Sequence, residues 1–256
     1  MTMCNVLTIT NPNGGSGKTV TALNLAASLA LFGKRTLLVD CDPCAGATAC
    51  SGKDAAEGNK DISSVLSGKC GVMDAACRTD INRLFLLPSS LNLLHVSLKL
   101  SLHPGNEKML RLFLEDVKDS YDYIIIDSPS SHSFLTLMAM AAADWLIVPM
   151  QCRKQDQDQL NALLRMIQHI RTRLQVRLKI AGLLFCNNPV LDAVDGFLST
   201  KEMEGVAGIV YPTRIPCDDT VVRAAETGRP VALMDVGSPG AKAYLDFARE
   251  VISFFN

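Results

Sequence analysis

Residues 11 to 19 read Asn-Pro-Asn-Gly-Gly-Ser-Gly-Lys-Thr, and the chemistry open to them is that of a phosphate cradle. Gly14, Gly15 and Gly17 can adopt dihedrals closed to other residues and turn their amides toward an anion. Lys18 can reach the β and γ phosphates of a nucleoside triphosphate, and the Thr19 hydroxyl can join the shell of a magnesium ion. Such a loop needs a helix behind it, because the first helical turn offers unpaired N–H groups and a partial positive charge. The flanks comply. Cys4 to Thr10 carries Val6, Leu7 and Ile9 with threonines, as a buried strand does, and Val20 to Phe32 sets Leu23, Leu25, Leu29 and Phe32 among alanines at helical spacing. The predicted order is strand, loop, helix, with Asn13, Gly14, Gly15, Ser16, Gly17, Lys18, Thr19 and Val20 as the nucleotide-binding run.

A triphosphate is bound as its magnesium complex, so carboxylates are expected at the C-terminal ends of neighbouring strands. Asp127 closes the Ile-rich segment Tyr123–Ile126 and is the natural direct or outer partner of the ion; Asp40 and Asp42 follow Leu37-Leu38-Val39. As strand-end residues, these aspartates could also serve only as turns or caps. Cys41 and Cys44 spell a C-x-x-C with Cys50 nearby, which raises a metal or redox site as an alternative. No second C-x-x-C and no His-rich partner stands at zinc-like spacing.

The elements that must hold these residues alternate along the chain. Thr36–Val39, Leu84–Pro88, Tyr123–Ile126, Trp145–Met150, Leu178–Phe185 and Ile209–Tyr211 read as strands, with helical patterns between most of them. The expected fold is α/β, a mostly parallel twisted sheet with helices on both faces. With 256 residues and 48% hydrophobic content, residues 1–256 suit one sizeable domain and are short for two. Residues 51 to 80, rich in Ser, Gly, Lys and Asp, read as a surface excursion.

Formal net charge is −1, which excludes a global polyelectrolyte and leaves any nucleic-acid surface to local clustering. Nine cysteines at irregular spacing fit reduced thiols in a cytosol better than a secreted disulfide framework. Met1 to Asn5 lacks a basic stretch leading into an apolar run, so no signal peptide is expected. Phe134 to Met150, broken by Thr136, Asp144 and Pro149, divides into a buried helix and a buried strand instead of a membrane span.

The common Walker A pattern needs glycine at position 12, where this chain has Pro12. Asn13 to Thr19 instead resembles the Lys-Gly-Gly-x-Gly-Lys-Thr loop of the ParA/MinD family of bacterial positioning ATPases, deviant Walker A P-loop NTPases. Asn13 stands where the family has its first lysine. The resemblance continues through Thr21–Ala30, Gly33–Pro43, the Walker B-like Tyr121–Pro129, Ala141–Cys152 (similar to the ParA/Soj-like branch), Gly228–Val231 and Gly240–Tyr244. It weakens at Cys44-Ala45-Gly46, which depart from the family's Asp-x-Asp-Pro-Gln-Gly motif.

The resemblance implies ATP and Mg2+ as ligands and an ATP-dependent homodimer. Asp42 would orient the attacking water, with Lys18 as its catalytic companion, and Asp40 would lie near the ion beside Thr19 and Asp127. The family's first lysine reaches across the dimer to the partner's phosphates, and the neutral Asn13 amide is a poor stand-in for that ammonium. Arg153 and Lys154 are the candidates for a substitute cation, against a reading as a solvated pair before a helix. The resemblance further implies non-specific DNA binding, a ParB-like or cargo-adaptor protein that stimulates release, and a cytoplasmic, nucleoid-associated location. A nucleotide-gated binding module with little or no hydrolysis is the alternative, and an ATP-dependent synthetase of the same fold is a third reading.

Arg153, Lys154, Arg165, Arg171, Arg173, Arg177 and Lys179 form a locally basic run that suits phosphate contacts or an ordinary solvated helix face. Asp218 and Asp219, following Ile215-Pro216-Cys217, oppose the DNA reading. Tyr244 to Asn256 lacks a Lys/Arg stripe and reads as a final helix packed on the sheet, with no membrane anchor evident. Asn187 and Pro216 are the expected neighbours of the nucleotide base.

Overall fold

The structure, a computed structural model, describes residues 4–49, 60–151, 156–187 and 207–256. The chain opens with β1 (Asn5–Ile9), α1 (Lys18–Leu31), β2 (Thr36–Asp40), α2 (Gly46–Ala49), α3 (Ile62–Leu66) and α4 (Val72–Ala75). It continues through β3 (Cys77–Arg78), β4 (Leu84–Leu87), α5 (Asn92–Ser101), α6 (Met109–Glu115), β5 (Tyr123–Asp127), α7 (Phe134–Ala142) and β6 (Trp145–Met150). It closes with α8 (Asp156–Leu174), β7 (Lys179–Cys186), β8 (Val210–Ile215), α9 (Asp219–Thr227), α10 (Val231–Met234) and α11 (Pro239–Phe255).

The strands form one sheet in the order β3-β4-β2-β5-β1-β6-β7-β8. Every pair is parallel except β3 against β4, the short antiparallel edge. Runs such as Ile124-Ile125-Ile126 and Leu146-Ile147-Val148 are apolar at every position because both faces of a parallel sheet are covered. Alternation sorts them. Val6, Val39, Ile124, Ile126, Leu146 and Val148 pack with α6, α7 and α8 on one face. Leu7, Ile9, Leu38, Ile125, Ile147 and Leu184 pack with α1 and α11 on the other.

β1 is central, and the chain leaving it enters α1 between β5 and β6. Ligands of open α/β sheets bind where successive connections turn to opposite sides, outside the carboxyl ends of the strands. Here that place is the loop of residues 10 to 17. α1 lies close because Ala22, Ala26, Ala27 and Ala30 are small and buried.

α11 begins at Pro239, in the first helical turn where proline is tolerated, after a Ser238 side chain that accepts from the Ala241 amide at 3.2 Å. It buries Tyr244, Phe247, Ala248 and Val251 against the sheet side, so its apolar face is occupied within the chain. Among the described residues no helix is long and apolar enough to cross a membrane.

One expectation is corrected in part. Residues 60 to 80 are not a surface excursion: α3 and α4 deliver Ile62, Val65, Leu66, Val72 and Ala75 to the core, and Cys77–Arg78 supply the edge strand β3. Their polar residues lie between buried positions and mask the short helices. Residues 51 to 59 of that stretch lie outside the described residues.

Candidate nucleotide site

The loop after β1 is tied down by residues far away in sequence. Asn11, fully buried, donates through Nδ2 to the Pro149 carbonyl at 2.6 Å and accepts the Asn13 amide on Oδ1 at 2.9 Å. Gln151 Nε2 donates to the Gly15 carbonyl at 2.7 Å. The end of β6 thus fixes both the entrance and the middle of the loop. Gly15 and Gly17 have φ of 71° and 91°, left-handed values at which a side chain is strained. Gly17 caps α1 without a side-chain bond, so the first helical amides keep no side-chain acceptor from that cap.

Lys18, at the first position of α1, folds back into this loop. Its Nζ donates to the Asn13 carbonyl at 2.5 Å and to Ser16 Oγ at 3.4 Å. Burial lowers its pKa to about 8, with the Asp127 and Asp42 carboxylates opposing. An ammonium with a destabilised charge gains most from an added anion.

The three sequence-predicted carboxylates occupy different situations. Asp127, ending β5, is fully buried, and neither of its oxygens has a hydrogen bond of normal geometry. Burial first and the Asp40 charge second push its pKa well above the ordinary carboxylate range, with Thr19 and Lys18 opposing. Asp42 is half-buried and accepts the Cys44 amide on Oδ1 at 2.8 Å, a local turn that shapes the loop after β2.

Asp40 is tied to the loop that follows it. Its Oδ2 accepts from the Thr48 amide at 2.8 Å and the Thr48 hydroxyl at 2.7 Å, and its Oδ1 accepts the Asp42 amide at 3.1 Å. Thr48 Oγ1 in turn accepts the Ser89 amide at 2.9 Å. Both Asp40 oxygens are engaged in holding residues 42 to 48 near the chain after β4, while the Asp40 charge still acts on Asp127, its neighbour across the strand pair. Burial raises its pKa to about 6 despite these bonds.

Asn187 and Pro216, expected beside the base, come together. They line a cleft of about 400 Å³ with Gly15, Gly17, Val20, Gln151, Asp218 and Tyr244. Asn187 has φ 53° and its amide donates to Ile215 at 2.9 Å, joining the two walls. Below the cleft, Thr21 Oγ1 lies 3.5 Å from Tyr244 Oη and 3.8 Å from Cys186 Sγ. Asp218 accepts the Thr220 and Gly240 amides, each at 2.8 Å, so it clips α9 to α11. Its acidity serves as a double cap.

The C-x-x-C does not assemble. Cys41 is buried with its thiol toward the Leu135 carbonyl at 3.9 Å, whereas Cys44 is exposed. Burial raises the Cys41 thiol and the Asp42 charge raises Cys44, the wrong direction for a thiolate ligand. Among the described residues no His, Cys, Asp and Glu group has the makings of a metal cluster. Arg153 and Lys154 lie outside the described residues. The rest of the basic run divides: Arg171 Nε donates to the Leu178 carbonyl at 2.6 Å, Lys179 sits over the Trp145 ring at 4.9 Å, and Arg165 and Arg173 flank Gln168, His169 and Thr172 in one groove of α8.

Sequence reasoning missed the roles of Asn11, Gln151, Asp218 and Tyr244, because they come from contacts across 22 to 223 positions. Asn11 and Gln151 lie at the ends of the quoted stretches 11–19 and 141–152, and that position was the available signal.

A glycine-bearing loop between the central parallel strand and a helix, with a lysine folded into it and a buried aspartate on the next strand, defines a P-loop NTPase. A family model described as "AAA domain" matches residues 4–180. Over 253 residues the chain is 36% identical to the sporulation initiation inhibitor protein Soj of Bacillus subtilis (strain 168), covering 97% of this chain and 98% of that protein. Over 250 residues it is 35% identical to the chromosome partitioning protein ParA of Caulobacter vibrioides, covering 97% and 94%. Among solved structures it resembles cobyrinic acid a,c-diamide synthase from Mycobacterium smegmatis with bound ATP analog and magnesium, at 28% identity and a TM-score of 0.86 over 99% and 96% of the two chains. The chain belongs to the ParA/MinD family, on its ParA/Soj side.

Proposed function

We propose that this chain is an ATP-dependent dimerising switch that positions or partitions DNA or another cellular cargo and hydrolyses ATP to ADP and phosphate. The observation that carries the reading is Asp127, a buried carboxylate with no hydrogen bond of normal geometry, beside Thr19 and Lys18. Burying such a group is costly unless a cation meets it, and a P-loop is where a magnesium–triphosphate complex would supply one. The names of the partitioning relatives and the ATP analog and magnesium of the synthase point the same way.

The amides of Gly14, Gly15, Ser16 and Gly17 and the Lys18 ammonium would hold the phosphates, with Asn13 and Val20 at the ends of the run. Thr19 and Asp127 would hold magnesium, whose positive charge offsets that on the phosphate oxygens during phosphoryl transfer. Asp42 would orient the attacking water, and Asp40 would keep the Asp42 loop in place. The base would enter the cleft beside Asn187 and Pro216. Arg165 and Arg173 on α8 are the contacts offered for non-specific DNA. A ParB-like or cargo-adaptor protein would stimulate turnover, in a cytoplasmic, nucleoid-associated setting.

One observation favours a second reading, a nucleotide-gated binding module with little or no hydrolysis. Asn13 brings a neutral amide where the family brings an ammonium, which would weaken charge compensation across a dimer. Steady-state ATPase assays with and without DNA separate the two. Turnover that rises with DNA or partner supports the switch; saturable ATP binding without turnover supports the module; absence of ATP binding overturns both.

A further inference from the structure

The helix α5 is apolar on two sides. Leu93 and Ser97 are buried against the body, as a packed helix requires. Leu91, Leu94, Leu98 and Leu102 nevertheless remain 69%, 48%, 66% and 76% exposed. Their spacing of three, four and four residues puts them in one stripe along the solvent side. Single exposed leucines are ordinary, but a contiguous stripe marks an interaction surface.

Beside the stripe lies a concave cleft of about 1300 Å³ between α3 and α5, lined also by Pro43, Cys44 and Ala45. Leu91 belongs to both features. The rim carries Lys69, His95 and Lys99. Among the described lining residues the one carboxylate is Asp61, and it is already engaged. It accepts from Ser63 Oγ at 2.5 Å, Ser64 N at 2.9 Å, Ser64 Oγ at 3.1 Å and Ser90 Oγ at 2.5 Å. Lys69 and Lys99 thus outnumber the one carboxylate among the described lining residues.

We propose that this face docks an amphipathic helix of a partner protein, with a leucine-like ridge seated on the α5 stripe and carboxylates facing Lys69 and Lys99. Helix-in-groove recognition uses an apolar face with anchors at such spacing, and complementary charge selects the partner and its register. Of the stripe only Leu91 lines the cleft, and a helix seated there follows the concave edge as a flat bilayer would not. A two-fold contact between copies of this chain would set the same cationic rim against itself. The wall formed by Pro43 to Ala45 adjoins Asp42, so coupling of docking to nucleotide state rests on the proposed function, whereas docking itself does not.

The test uses the full chain without nucleotide, so failure of the phosphate site does not bear on it. Two labelled synthetic helical peptides share one leucine ridge and differ in flanks, glutamate in one and lysine in the other; phosphatidylglycerol vesicles serve as a third probe. By fluorescence anisotropy the glutamate peptide is expected to bind at least about tenfold more tightly than its lysine twin. The double variant L94S/L98S should weaken it by about tenfold or more, and K69E/K99E should reverse the preference, with unchanged circular dichroism in both. Equal affinity for the two peptides, no binding of either, or binding unaffected by L94S/L98S overturns the proposal. Vesicle binding or self-association that alone responds to L94S/L98S overturns it in favour of a lipid surface or a second copy.

Discussion

The Lys18 ammonium rests 2.5 Å from the carbonyl oxygen of Asn13, five residues back in its own loop. The cation is thus latched onto backbone while its charge is disfavoured by burial. A triphosphate would replace one neutral carbonyl with several anionic oxygens, and charge-assisted bonds are roughly twice as strong as neutral ones. Lys18→Ala is therefore expected to weaken ATP binding by about a hundredfold or more, measured by calorimetry.

The same lysine gives a pH signature. Between about 8 and the ordinary value of 10.5, the unfolded chain holds more of this proton than the folded chain, so this group makes unliganded stability rise with pH. Lys18→Met is expected to flatten that rise in thermal melts. An unchanged slope would remove the assigned burial of the ammonium.

Asp127 carries the opposite dependence. Its folded pKa lies above the ordinary 3.8 because of burial and Asp40, so the folded state holds the extra proton and this group makes stability fall as pH rises through that window. At neutral pH the carboxylate is a liability in the unliganded chain. Asp127→Asn is expected to raise the unliganded Tm by about 2–4 °C for each kcal/mol relieved, and to reduce the further Tm increase given by magnesium and ATP. A lower unliganded Tm would contradict the view of this aspartate as an unpaired buried charge.

Asp42 shapes its loop through the Cys44 amide, yet its proposed task is to orient water. Asp42→Ala should therefore lower ATP turnover by about a hundredfold while changing ATP affinity by less than about threefold, since phosphoryl transfer depends chiefly on positioned charge. Comparable losses in both measurements would move Asp42 from chemistry to binding.

Asn11 offers a stability test. Truncation removes the hydrogen bonds to the Pro149 carbonyl and from the Asn13 amide, a loss of about 0.5–1.5 kcal/mol each. Asn11→Ala is expected to lower the urea midpoint and to weaken ATP binding about tenfold by loosening the loop. A stable variant with native affinity would show that β6 does not fix the loop.

The central sheet and its phosphate loop were legible because they are written in local pattern. Ile124-Ile125-Ile126 can be buried on both faces only in a covered parallel strand, and Gly17-Lys18-Thr19 after an apolar strand leaves little choice of backbone. Asn187 and Pro216 line one cleft, although nothing local linked them. What was not legible follows from distance. The hydrogen bonds of Asp40 depend on Thr48 and Ser89, supplied by α2 and the chain after β4, and the double cap of Asp218 depends on Gly240 in α11. The short helices of residues 62 to 75 have no full apolar period from which to be read.

The proposed switch requires that the Lys18 loop take the triphosphate tail of ATP. Isothermal titration of the full chain with ATP in magnesium buffer, paired with the Lys18→Ala variant, tests this most directly. The expected result is saturable heat at one nucleotide per chain, abolished by the substitution. Absence of heat from a well-folded wild-type sample, or heat of equal size from the variant, would contradict it.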